Sequence, residues 1–393
     1  MKINYILISF TIILFTSCQE DEYTPIENNN DLSFYFGDKI NLDDLENYAN
    51  QTIPSYITKD NGINNPITDK GATLGRVLFY DKNLSADKSI SCASCHKQEH
   101  AFGDNSVGST GINGITGRQS MRLVNNRFAR ESKYFWDERA TSLEEQTTMP
   151  IKDHIEMAFS GSNGDLDFNA LLLRLNEISY YKELFTFVYG TDEITEQKMQ
   201  LALAQFVRSI QSFDSKYDIG RATVNFDIFD FSNYTDQENH GKQLFNLESN
   251  YNQNGVRNGG GLGCANCHEG PEFDIDPLSK NNGVIGTLAG NGIDLLNTKS
   301  PSLKDLLNNN GEPNTPMMHT GNFLTLNSVI AHYAVIPNQP QNSNLDDRLL
   351  VPTTNITQNL NITQSERAAL VAFLKTLTGE DVYTNSKWSN PFN

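Results

Sequence analysis

The two stretches that decide the fold are Cys92-Ala93-Ser94-Cys95-His96 and Cys264-Ala265-Asn266-Cys267-His268. Both follow the pattern Cys-x-x-Cys-His, which marks covalent attachment of a c-type haem. The two thiols bond to the haem vinyl groups, and the adjacent histidine binds the iron as its proximal ligand. Each copy heads a segment long enough to form a domain, so the sequence predicts two haem c groups.

Two Cys-x-x-Cys pairs can also form a structural zinc site. Here a histidine directly follows each pair, and the pairs lie far apart in the chain. These two features favour haem over zinc. His96 and His268 are therefore the predicted iron ligands, and the predicted haem-attachment residues are Cys92, Cys95, Cys264 and Cys267.

The composition is that of a soluble globular protein. With 393 residues, the chain can form two domains with sizeable cores. Its net charge of -18 argues against binding nucleic acid or an anionic lipid surface through charge. Because this chain is acidic, we expect a macromolecular partner to dock on it through a basic surface of the partner.

The first 18 residues have the features of an export signal. Lys2 precedes a mostly apolar run from Ile6 to Phe15, which is too short for an ordinary transmembrane helix. The small residues before Cys18 resemble a bacterial lipoprotein signal, in which Cys18 becomes the lipidated first residue. Ordinary cleavage near this position is the alternative. Both readings predict an exported, periplasmic protein, and only the lipoprotein reading gives it contact with the membrane, through the lipid on Cys18.

The fold predicted for the remaining chain is mainly α, with two cytochrome c-like haem domains packed together and long loops. We expect an acidic and polar tether with a short helix at 42–49 in residues 19–60, then haem domains at 61–234 and 235–393. Apolar periodicity and capping residues predict helices that begin after Thr195, Thr235, Thr325 and Thr363. Beyond the two haem motifs, we detect no internal repeat.

The distribution of histidines indicates how the first iron is bound. None of the seven histidines lies between residues 101 and 153, and His100 is too close to His96 to reach the opposite haem face. The first iron could therefore keep a position open to a small ligand. An open ferric haem beside acid and base side chains is the minimum equipment for peroxide chemistry.

A series of further motifs resembles the bacterial dihaem cytochrome c peroxidase family, which includes the MauG-type enzymes. The resemblance covers residues from about 65 to 380. Besides the haem motifs, it includes Ala101–Asp104, Gly117-Arg118, Phe135–Arg139, Leu143–Gln146, Glu156-Met157, Pro301–Leu303, Met318–Gly321 and His332-Tyr333. It implies that the N-terminal haem reacts with peroxide and that the C-terminal haem passes electrons to it.

The resemblance also implies roles for three catalytic residues. Trp136 matches the tryptophan between the two haems, although it could equally be a buried core aromatic. Gln146 and Glu156 match the pair that faces the peroxidatic iron. Glu156 would take a proton from bound peroxide and return it to the leaving oxygen.

Two positions depart from the typical peroxidase pattern. Many members carry a histidine that caps the first iron until the second haem is reduced, but Gly111 occupies about that place here. We therefore expect a first haem that needs no reductive activation. Tyr333 stands where typical peroxidases have methionine and MauG-type enzymes have tyrosine, so it is the predicted sixth ligand of the second iron. A packed core tyrosine is the rival reading, and Met317 and Met318 are competing ligands.

Two further positions follow from the resemblance. A calcium ion between the domains would lie at Gln119, Asn314 and Pro316. Lys304 replaces a common arginine and would lie near a haem propionate.

The function expected from these features is reduction of hydrogen peroxide to water, with electrons from a c-type cytochrome or a similar donor. The alternative is a MauG-like, peroxide-dependent oxidation of a protein or organic partner. A third reading is a dihaem electron carrier, which would need both irons to be capped.

Overall fold

The computed structural model describes residues 32–130, 133–275, 277–296, 299 and 302–393. The predicted export signal and Cys18 lie outside the described residues. Within these residues, no helix combines the length and apolar character needed to cross a bilayer.

The fold is mainly α, as predicted. The described residues form eleven α-helices: α1 (Leu32–Phe36), α2 (Asp69–Tyr80), α3 (Cys92–Cys95), α4 (Leu143–Thr148), α5 (Phe168–Asn176), α6 (Ser179–Tyr189), α7 (Glu196–Ser209), α8 (Lys216–Arg221), α9 (Asp236–Asn246), α10 (Leu326–Ala334) and α11 (Gln364–Lys375). They also form three antiparallel hairpins from six short strands: β1 (Thr110–Gly111) with β2 (Gly114–Ile115), β3 (Ser249–Tyr251) with β4 (Arg257–Gly260), and β5 (His268–Glu269) with β6 (Asp274–Ile275).

The four predicted helix starts are confirmed. Thr195 caps α7 by accepting a hydrogen bond from the Lys198 amide. Thr235, Thr325 and Thr363 cap α9, α10 and α11, and the backbone amide of each donates in return to the side chain three residues later. Each cap satisfies amide groups that the first helical turn leaves without an intrahelical partner.

The helix predicted at 42–49 is wrong, because this segment forms turns. The backbone amides of Tyr48 and Ala49 both donate to Oδ1 of Asp69, at 2.7 and 2.8 Å. The fully buried Tyr48 ring also packs in the core. The Asp69 carboxylate, at the start of α2, therefore accepts the two backbone hydrogen bonds that carbonyl groups of the segment itself would accept in a helix.

Buried apolar side chains form two cores. Leu32 and Phe36 already belong to the first core, so the polar N-terminal segment packs on the protein from Leu32 onward. Val382 and Trp388 return to that core from the C-terminus. Tyr217, on α8, belongs to the second core. The predicted domain boundaries, 61–234 and 235–393, stay a prediction.

Each core contains one close helix crossing at a glycine. A Cβ atom added to Gly75 on α2 would lie 2.0 Å from the Ala202 carbonyl oxygen on α7. One added to Gly241 on α9 would lie 1.9 Å from the Ala369 carbonyl oxygen on α11. Only glycine allows the two backbones to approach this closely.

The crossings reveal a short internal repeat that we did not detect in the sequence. Each glycine is followed four residues later by phenylalanine, and so is each facing alanine. The rings meet at 5.1 Å between Phe79 and Phe206, and at 5.3 Å between Phe245 and Phe373. The two helix pairs are thus packed in the same way.

Gly241→Ala is expected to lower the free energy of unfolding by about 1–3 kcal/mol, because α9 and α11 must move apart. This loss should occur even though alanine is the better helix former. Urea denaturation of the haem-loaded protein would measure it. Gly117→Ala is the control, since a Cβ at Gly117 has no neighbour within 4 Å. Equal midpoints for the two variants would contradict the role of the crossing.

Candidate active site

The first haem motif shares a cavity of about 70 Å³ with the two residues predicted to face the iron. Cys92, Cys95 and His96 line it together with Gln146 and Glu156. These residues come from α3, α4 and the loop after α4. A larger neighbouring cavity of about 650 Å³ is lined by His96, Gln146 and Glu156 and extends to Trp136.

The orientation of His96 suits a metal ligand. Its backbone amide donates to the Cys92 carbonyl, which fixes the histidine at the end of α3. Its Nδ1 lies 3.1 Å from the Phe102 carbonyl oxygen. When Nδ1–H donates to that carbonyl, Nε2 keeps its lone pair for iron.

The cysteines also fit haem attachment. Cys92 and Cys95 carry free thiols. Burial raises the pKa of Cys92 to about 12 and that of Cys95 to about 11, so both thiols are held neutral. Two thiols and an imidazole at one cavity are the residue set that a covalent haem needs.

Glu156 has the proton affinity that acid–base work at neutral pH requires. Burial raises its pKa to about 7; the nearby Asp153 carboxylate raises it further, and Arg139 opposes the shift. The backbone amides of Ile155 and Glu156 donate to Oδ1 of Asp153, at 2.8 and 3.1 Å. Asp153 therefore both holds this segment in place and disfavours ionisation of Glu156.

Gly111 packs directly against the segment that carries Glu156. The Ile112 amide donates to the Glu156 carbonyl at 2.9 Å, and the Asn113 amide donates to the Ile155 carbonyl at 3.1 Å. A Cβ at Gly111 would lie 2.0 Å from the Ile155 carbonyl oxygen. This backbone arrangement excludes a histidine, or any side chain, at position 111.

The second haem motif lies at a separate cavity of about 190 Å³. Its lining includes Cys264, Cys267 and His268, together with Tyr333, Met317 and Met318. Burial lowers the pKa of His268 to about 4, which keeps the imidazole neutral and able to bind a metal. The cavity thus contains the predicted ligand Tyr333 and both of its competitors.

Trp136 lies between the two haem regions, because it lines both the second cavity and the large cavity that includes His96. Its indole N–H donates to the Gln119 carbonyl at 2.7 Å. Its ring packs edge-on against His319, with centroids 6.1 Å apart. The tryptophan is therefore buried in the core and also placed where electron transfer would need it.

The sequence of this chain was compared with known proteins. A sequence model of the di-haem cytochrome c peroxidase family matches residues 69–222. The methylamine utilization protein MauG of Methylophilus methylotrophus is 29% identical over 326 residues, covering 81% of this chain and 85% of that protein. Cytochrome c551 peroxidase of Nitrosomonas europaea is 28% identical over 320 residues, covering 79% and 80%. Over most of its length the chain is therefore similar to dihaem cytochrome c peroxidases and MauG proteins.

A solved structure agrees with this assignment. The crystal structure of a MauG-like protein associated with microbial copper homeostasis matches with a TM-score of 0.65 and 25% identity, covering 87% of this chain and 99% of that one. This similarity to dihaem peroxidases and MauG proteins supports two haem c groups as the cofactors.

The structure shows the surroundings of Lys304 and of the residues predicted to bind calcium. Lys304 lines neither haem cavity, because its ammonium group is buried in an ion pair with Asp218 and donates to Ser215 at 3.0 Å. Its expected place near a propionate is therefore not supported.

Gln119 and Asn314 are buried, and Asn314 Oδ1 has no hydrogen-bond partner within the described residues. Calcium at these residues and Pro316 stays a prediction.

Sequence reasoning missed Arg122, which lines both the second cavity and the large first cavity. Its guanidinium donates to Thr315 Oγ1 at 3.2 Å and to the Ser302 carbonyl at 2.8 Å. Burial lowers its pKa to about 10, and Nε finds no partner in the described part of the chain. A buried cation with an unused donor could bind a haem carboxylate. In the sequence, it looks like any surface arginine.

We expect the rate of reaction with hydrogen peroxide to rise with pH through about 7, because only ionised Glu156 can accept a proton. Glu156→Gln should remove this rise and slow the reaction by about 10²–10⁴-fold. Stopped-flow absorbance of the ferric protein across about pH 5–9 would measure both effects. The control is Glu145→Gln, which changes an exposed carboxylate on α4. This variant should behave like the unmodified protein. An unchanged pH profile in Glu156→Gln would contradict the assignment.

Proposed function

We propose that this protein is an exported dihaem c-type peroxidase with two cytochrome c-like domains. It reduces hydrogen peroxide to water with electrons from a c-type cytochrome or a similar donor. The observation that carries the proposal is the cavity shared by His96, Gln146 and Glu156. When bound at His96, haem supplies an iron centre that binds peroxide and exchanges electrons.

The protein's own residues supply the proton transfers and the orientation. Glu156, with its pKa near 7, would accept a proton from hydrogen peroxide in this cavity and return it to the oxygen that leaves as water. The Gln146 amide in the same cavity can hydrogen-bond to the peroxide and hold it beside Glu156. Two electrons and two protons complete the conversion of one peroxide to two waters.

Activity without reductive activation is supported by the contact between Gly111 and Ile155. Because no side chain fits at position 111 in this arrangement, the loop supplies no imidazole to cap the first iron. Trp136, between the two cavities, gives the electrons a route from the second haem to the first.

A second candidate function is MauG-like oxidation of a partner protein or an organic molecule by peroxide. The presence of Tyr333 at the second cavity favours it. A phenolate is a hard anionic ligand, which stabilises iron in higher oxidation states more than methionine does. Both candidate functions use the first haem site. They differ in the electron source, which is a c-type cytochrome or a similar donor in the first and the oxidised partner protein or organic molecule in the second.

The as-purified diferric protein is expected to bind cyanide at one iron and to consume one equivalent of peroxide without prior reduction. Electronic absorption and electron paramagnetic resonance spectra would show both. Oxidation of reduced cytochrome c in step with peroxide consumption supports the first candidate. Peroxide consumption without cytochrome oxidation favours the second. Two six-coordinate irons that bind cyanide only after reduction would contradict both the open first site and activity without activation.

We also propose that the protein is held at the periplasmic side of a membrane by a lipid on Cys18. With Cys18→Ser, it should move from the membrane fraction to the soluble periplasmic fraction and lose labelling by a radioactive fatty acid. Cys18 is separate from the four haem cysteines, so the haem content should stay the same. Continued membrane association of the variant would overturn the anchor.

A further inference from the structure

The side-chain amide of Asn282 contacts two alternative ligands of the second haem iron. Its Nδ2 lies 3.2 Å from Met318 Sδ and 3.4 Å from Tyr333 Oη. All three side chains line the cavity that contains His268. The oxygen and the sulfur are therefore both within reach of one donor in this cavity.

The turn that carries Asn282 is attached to the helix that carries Tyr333. The Asn282 carbonyl is 2.9 Å from Nε2 of His332, the neighbour of Tyr333 on α10. Asn282 Oδ1 accepts the Val284 amide at 3.1 Å, which fixes the side chain and directs Nδ2 away from the turn. The amide donor therefore keeps a defined position relative to Tyr333.

The preceding residue anchors the same turn from the other side. Asn281 is fully buried, and its Oδ1 accepts the Gly283 amide and the Asn342 side chain, both at 2.8 Å. The position of Asn282 is thus determined by contacts outside the cavity. Such support is what a residue needs if it is to orient a ligand.

The two acceptors differ in how much they gain from an N–H donor. A phenolate oxygen is anionic, so the hydrogen bond to it is charge-assisted, whereas a thioether sulfur is only a weak acceptor. An amide placed between them stabilises ferric iron bound through the oxygen more than ferric iron bound through the sulfur.

We propose that Asn282 is a positioning residue that makes Tyr333, rather than Met318, the sixth ligand of ferric iron in the second haem. The proposal rests on the second haem of the proposed function but does not depend on peroxide turnover.

Asn282→Asp is the closest variant in shape, because it keeps an oxygen that can accept the Val284 amide and replaces the N–H donor with a second carboxylate oxygen. The ratio of phenolate-bound to thioether-bound ferric iron should fall by about tenfold or more, the effect of one charge-assisted hydrogen bond. The phenolate-to-iron band in the absorption spectrum should weaken, and a thioether-to-iron band should appear in the near infrared. Adding Met318→Leu to this variant should remove the new band.

Two further variants separate the donor from charge and from folding. Asn282→Leu removes the donor without adding charge and should shift the ratio in the same direction. Asn327→Asp adds the same charge at an exposed position of α10 and should leave the spectrum unchanged.

An unaltered spectrum in both Asn282 variants would overturn the proposal. So would a thioether band in the unmodified ferric protein that disappears with Met318→Leu. Peroxide consumption measured on the same samples keeps the two proposals apart. If the unmodified protein consumes none while the spectra shift as expected, the proposed function fails and the role of Asn282 stands.

Discussion

The structure depends on backbone contact between the first and last long helices of each haem unit. At Gly75 and at Gly241, the absence of a side chain lets a helix rest on the carbonyl oxygen of its partner. The phenylalanine one turn later then packs beside the haem motif: Phe79 lies 6.5 Å from the His96 ring, measured between centroids. In the second unit, Phe245 lies 5.7 Å from Phe273, which follows His268 by five residues. The crossing therefore places one phenylalanine beside His96 and another beside the segment that follows His268.

Features that depend on neighbouring residues could be predicted from the sequence. Helix caps at Thr195 and Thr363 need only a hydroxyl and an amide three residues later, so their signal is local. The haem motifs are local in the same sense. The turn at Tyr48 and the burial of Trp388 depend instead on partners distant in the chain, namely Asp69 and Ser209. No periodicity within either segment contains that information.

The candidate site was predictable where a known family pattern supplied positions and unpredictable elsewhere. Glu156 and Gln146 share a cavity with His96, as the resemblance implied. Arg122 and Asn282 were missed because an arginine or an asparagine in a loop is ordinarily solvated. Their significance arises only when loops from distant parts of the chain enclose them. Lys304 shows the converse: a residue at a matching position forms an ion pair with Asp218 instead.

The contact between Gly111 and Ile155 has an evolutionary consequence. A single codon change to histidine at position 111 would place a side chain where a carbonyl oxygen already lies, so it could not by itself create a capped iron. The β1–β2 hairpin would first have to detach from the turn at 155–156 and lose its two backbone hydrogen bonds to that turn. In this chain, a side chain at position 111 would therefore require several coordinated changes in the loop.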